Sequence, residues 1–129
     1  MKEYAASQWQ RAQRAVASAQ KLLDSDGDSA ASRAYFAAFH ALSALFALRG
    51  QSFSKHTALR AALHRELVRT EQWPRELGSA YDFLLDVRET GDYGGLTEVT
   101  SKTARMAVEK AVAILAAVER SCPELTAQP

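Results

Sequence analysis

The chain has 129 residues, of which 47% are hydrophobic: the length of one domain, with enough apolar side chain for one continuous core. Sixteen Lys and Arg against fifteen Asp and Glu leave a formal charge of +1, which excludes a global basic field, so any RNA contact must come from a local cluster. The only cysteine, Cys122, excludes an internal disulfide and a cysteine-built zinc site. Neither an apolar run of roughly 20 residues nor a signal-peptide core is evident, which sets the expectation of a cytoplasmic protein outside the membrane.

The apolar residues are mostly Ala and Leu, and there are only 6 Gly and 3 Pro, as close-packed helices require. The first segment, Lys2 to Leu23, sets Trp9, Ala12, Val16, Ala19, Leu22 and Leu23 at steps of three and four, which predicts one buried helical face. The acidic run Asp24-Ser-Asp-Gly-Asp28 has an incomplete calcium-loop spacing and no closing glutamate, so it reads as a solvated turn that caps the next helix.

That second helix is expected from Ser29 to Leu48, ending at Arg49-Gly50, and is apolar almost all round, as a central helix would be. A capping loop, Ser52 to His56, precedes a third helix over Thr57 to Thr70 with Leu59, Leu63, Leu67 and Val68 inward. Trp73-Pro74 interrupts it and opens a fourth helix, which carries Leu77, Tyr81, Leu84, Leu85 and Val87 as far as Glu89. Thr90 to Gly95, with three glycines, reads as a loop, and Thr97 as the cap of a final helix over Glu98 to Arg120. The fold class is therefore all-α: an up-and-down antiparallel bundle of four to five helices forming one domain over residues 1–121, with a flexible tail over 122–129.

Three clusters carry chemistry. Arg33 and His40, seven apart on the second helix, lie within about 20° of one face and about 10.5 Å apart along the axis. They share that stripe with Phe36. Two readings stand side by side. In one, Arg33 pairs with Asp82, Asp86 or Glu89 while His40 bonds a backbone or hydroxyl group; in the other, they serve phosphate chemistry, the histidine moving protons and the arginine stabilising charge on a phosphoryl centre. Arg88, Asp92 and Tyr93 near the end of the fourth helix form either a helix cap or a contact patch. Lys55, His56, Arg60 and His64 make a basic strip, a surface for RNA or nucleotide phosphate or an ordinary solvated face. No carboxylate stands at ligand spacing beside these histidines, so no metal or cofactor is expected.

The run Ser32-Arg-Ala-Tyr-Phe-Ala-Ala-Phe-His40 with the following Ala-Leu-Ser-Ala-Leu, then Phe53-Ser-Lys-His56, then Leu85-Asp-Val-Arg-Glu-Thr-Gly-Asp-Tyr-Gly94 resembles, in order and spacing, the HEPN domain family of prokaryotes. The resemblance spans roughly Trp9 to Val118. It implies a four- or five-helix bundle, usually a homodimer, often encoded beside a minimal nucleotidyltransferase as a toxin and antitoxin pair. Active members resemble metal-independent endoribonucleases, with a signature arginine followed after four to six residues by a histidine across the dimer cleft. This sequence departs from that pattern: no histidine follows Arg88. Arg33 and His40 meet the spacing, but in the second helix, where the resemblance implies bundle and dimer core. It therefore implies either a dimeric module that binds a nucleotidyltransferase partner, a nucleotide or RNA, or a ribonuclease toxin using Arg33 and His40 with Arg88. Tyr93 matches the tyrosine to which nucleotide transfer silences active members.

Overall fold

A computed structural model describes residues 1–93 and 98–126, the side chains of residues 91–93 excepted. Among the described residues there are five α-helices: α1 (Lys2–Leu22), α2 (Gly27–Leu48), α3 (His56–Ala62), α4 (Arg75–Tyr93) and α5 (Ser101–Ser121). A π-helical turn, Leu63–Val68, continues α3, and a 3-10 turn, Pro123–Leu125, follows α5.

The central helix is α2, which packs against α1, α3, α4 and α5. Its alanines Ala34, Ala37, Ala38, Ala41 and Ala44 are fully buried, as are Ala5, Ala12 and Ala19 of α1. Side chains this small let two helices approach closely, and α1 and α2 form the most extensive helix pair. The bulk of α2 lies in Tyr35, Leu42, Leu45 and Phe46, also fully buried. Contrary to the expectation from apolar runs, α2 is long and apolar enough, at 22 residues and mean hydropathy 1.2, to cross a membrane. Its setting is that of a core helix, with 67% of its most apolar stretch buried inside the bundle.

Helix ends follow from local hydrogen bonds. The Asp26 carboxylate accepts from the Ser29 amide at 3.1 Å and the Ser29 hydroxyl at 2.6 Å, so the acidic turn caps α2, which starts at Gly27, two residues earlier than expected. Gly50, at φ +80°, takes the left-handed position after Arg49. The start of α5 differs from expectation: the Val99 amide donates to the Asp28 carboxylate at 2.7 Å, so it is held outside the helix. Thr100 then caps α5, accepting from the Thr103 amide at 3.1 Å, in place of Thr97.

Three further expectations are corrected. Residues 90–93 are helical, not loop, since α4 runs on to Tyr93. Thr90 there donates its hydroxyl to the Asp86 carbonyl, and one interior glycine costs a helix only about 1 kcal/mol. The third helix widens into the π turn: Leu59, Leu63 and Leu67 recur every four residues, a longer repeat than the 3.6 of an α-helix, and i→i+5 bonding keeps all three buried. The tail is packed at its start, where Cys122 and Leu125 are buried in the core cluster.

At the α2–α5 junction a Cβ on Gly27 would run into the Val99 carbonyl oxygen, a backbone atom that cannot swing away. Gly27→Ala is therefore expected to destabilise the protein by about 1–3 kcal/mol in denaturant titration, against the helix propensity that alone would favour alanine. An unchanged or raised midpoint would contradict this contact.

Candidate functional site at the cleft between α1 and α2

The close approach of α1 and α2 leaves an open cleft of about 580 Å³ beside their shared alanine seam, lined by Arg11, Arg14, Ala15, Ser18, Arg33, Phe36 and His40. Arg11 and Arg14 stand one turn apart on α1; Arg33, Phe36 and His40 follow at steps of three and four on α2. The three arginines are exposed, and none makes an ion pair among the described residues. No carboxylate is among the described residues lining the cleft. The expected partners of Arg33 are engaged elsewhere or do not reach it: Asp82 accepts from Arg60 Nε at 2.8 Å and from His64 Nε2 at 3.1 Å.

His40 is half-buried on the cleft wall. Its Nδ1 lies 2.7 Å from Oε1 of Gln8, a buried residue of α1, in place of the expected backbone or hydroxyl partner. An amide oxygen only accepts, so Nδ1 carries the proton and Nε2 remains the basic nitrogen. Burial, with the charges of Arg11 and Arg14, holds the imidazole pKa below its ordinary 6.5.

Phe36 joins the cleft to a second group of residues. Its ring stacks with His40 at 6.2 Å between centroids, and the Arg88 guanidinium of α4 lies 5.0 Å from the Phe36 centroid and 5.3 Å from that of Tyr35. His56 meets Tyr35 and Phe39 edge-on at 5.9 and 6.4 Å. The Tyr35 and Tyr81 hydroxyls lie 3.1 Å apart, and burial raises the pKa of both.

The residues singled out from sequence thus divide. Arg33, His40 and Arg88 converge around Phe36, and His56 reaches the same aromatic group from α3. Arg60 and His64 share Asp82, which offsets part of the basic strip's charge, while Lys55 is exposed at the N-cap of α3. The side chains of Asp92 and Tyr93 lie outside the described residues. Sequence reasoning missed Gln8, Arg11 and Arg14. The available signal was that α1, over 21 residues, holds only one acidic side chain, Glu3, against Lys2, Arg11, Arg14 and Lys21. Among the described residues no three His, Cys, Asp or Glu side chains gather as a metal site would need.

The fold and cleft define an all-helical bundle whose central helix presents arginine, phenylalanine and histidine to a groove left by the first helix. A HEPN domain model matches residues 5–121, and the chain belongs to the HEPN domain family. It is similar to a UPF0332 protein of Thermotoga maritima, 40% identical over 97 residues that cover 75% of this chain and 74% of the relative. Its fold is similar to the crystal structure of TT1696 from Thermus thermophilus, with a TM-score of 0.78 and 27% identity over 93% of this chain and 98% of the other.

A depressed histidine pKa has a definite sign in stability. As pH falls, the unfolded chain takes up the proton first, so the neutral imidazole's contribution is whole above pH 6.5 and declines as pH drops through 6.5 toward the depressed value. His40 should titrate below 6.5 by NMR. Between about pH 7 and pH 5 the melting temperature should fall more for the wild type than for His40→Gln. A midpoint at or above 6.5, or identical pH dependence in the two proteins, would refute the assignment.

Proposed function

We propose that this chain is the HEPN component of a prokaryotic HEPN and nucleotidyltransferase module of the toxin–antitoxin kind, a cytoplasmic homodimer that binds RNA or a nucleotide through the α1–α2 cleft. The observation that carries the binding reading is the grouping of Arg11, Arg14, Arg33 and His40 around one open cleft with no carboxylate among its described lining residues, beside a partly exposed aromatic ring. Guanidinium groups supply phosphate contacts, and the partly exposed Phe36 ring supplies aromatic contact for a base. The nucleotidyltransferase pairing and the dimer come into this reading from what the family resemblance implies, and in it the Arg88, Asp92 and Tyr93 patch and the Lys55 and His56 strip are the surfaces offered to that partner or to a nucleotide.

A second reading, a metal-independent endoribonuclease, is favoured by one observation: the Gln8 bond fixes the His40 tautomer so that a neutral Nε2 is available as a base. In that reading Arg33, with Arg88 beyond Phe36, stabilises the developing phosphorane.

Single-stranded RNA should bind the wild type with an affinity that falls steeply with salt, and Arg33→Ala should reduce the slope of log K against log salt by about 0.7. Phe36→Leu should weaken binding by about 1–3 kcal/mol through lost stacking. Salt-independent binding, or none, would end the binding reading. For the ribonuclease, RNA incubated with wild type in a chelator should be cut and His40→Ala should abolish cutting; intact RNA would leave a binding module.

A further inference from the structure

Two of the three guanidinium groups in the cleft come from α1, outside every segment on which the sequence reading of the chemistry rests, and they have a consequence for what the cleft accepts. Arg11 and Arg14 face Arg33 and His40 across the cleft, with Ser18 one turn beyond Arg14. Three fixed positive charges with no carboxylate among the described lining residues exceed what one phosphodiester, with a single negative charge, can balance; a terminal phosphate monoester, with a second pKa near 6, carries up to two. The cleft is also short. It is bounded by about two turns of α1, from Arg11 to Ser18, and about two turns of α2, from Arg33 to His40, with Phe36 midway along the α2 wall and in contact with Arg88 of α4. That shape suits the end of a chain or a lone nucleotide.

We propose that Arg11, Arg14 and Arg33 form a subsite for a terminal phosphate monoester, the 5′-phosphate of an RNA end or of a free nucleotide, with the adjoining base on Phe36. The inference rests on the nucleotide- or RNA-binding reading above and names the chemical group that the cleft selects. It also links occupancy to a proton. The groups facing His40 are Arg11, Arg14 and Gln8 on α1 and Arg33 on its own helix, with Arg88 of α4 and His56 of α3 against the flanking rings. All of these except Gln8 are cationic or can become so, and a dianion among them relieves their repulsion of an imidazolium. The bound phosphate therefore draws a proton onto Nε2 of His40.

The test compares two ribo-oligonucleotides of one sequence, one with a 5′-phosphate and one with a 5′-hydroxyl, together with AMP and adenosine. The phosphorylated oligonucleotide should bind about tenfold more tightly or better, and AMP but not adenosine should move the His40 titration upward. Arg11→Ala with Arg14→Ala should bring the ratio between the two oligonucleotides close to one. The same loss of charge at Arg65 and Arg69, outside the cleft, should leave the ratio in place. All four arginines are exposed, so these variants are expected to keep the fold, with circular dichroism as the check. If both oligonucleotides bind equally well, or the α1 variant keeps the preference, the terminal-phosphate subsite is wrong while the wider binding reading survives. If neither binds and AMP leaves His40 unmoved, both are wrong.

Discussion

The constraint on which the rest of this structure depends is the alanine seam between α1 and α2. Alanine carries one side-chain carbon, so two helices that meet along it come close, and the attraction comes from many short contacts rather than from a few large buried groups. The large side chains of α2, Tyr35, Leu42, Leu45 and Phe46, are buried in the same core cluster as these alanines. At the edge of the seam the polar residues of both helices are brought to one rim. Arg11 and Arg14 lie there because Ala12 and Ala15 beside them are buried, and Arg33 and His40 lie there because Ala34, Ala37 and Ala41 are.

Charge is handled differently on the two sides of the molecule. Between α3 and α4, Asp82 takes both Arg60 and His64, an arrangement of partly exposed groups that adds little to stability, on the order of 0–1 kcal/mol. Along the cleft no such partner is present among the described lining residues, and burial, with repulsion from Arg11 and Arg14, acts on His40, the group there that can give up its proton. A soluble face normally intersperses signs. A rim of one sign, held on rigid helices, is a feature with an electrostatic cost in the folded state, and binding an anion removes that cost.

Much of the bundle was legible in the sequence, because steps of three and four place Trp9, Ala12, Ala19, Leu59, Leu63, Tyr81 and Val108 on buried faces, where they are found. What was hidden had tertiary causes. Thr97 and Thr100 are equal caps by residue type, and the choice between them depends on Asp28, 71 residues from Val99 in the chain. Gly91 marks a loop by propensity, yet α4 continues through it. For the site, the sequence named Arg33, His40 and Arg88, since they interrupt or adjoin apolar helical stretches. It gave no means of pairing them with Arg11, Arg14 and Gln8: side chains that meet across two helices leave no periodic trace in either one.

The bond from Val99 to Asp28, with Gly27 seated against the Val99 carbonyl, has a further meaning for the architecture. It ties the beginning of α5 to the capping turn of α2, so the two helices share one corner, and a change at Gly27 or Asp28 reaches the start of the last helix as well as that of the second.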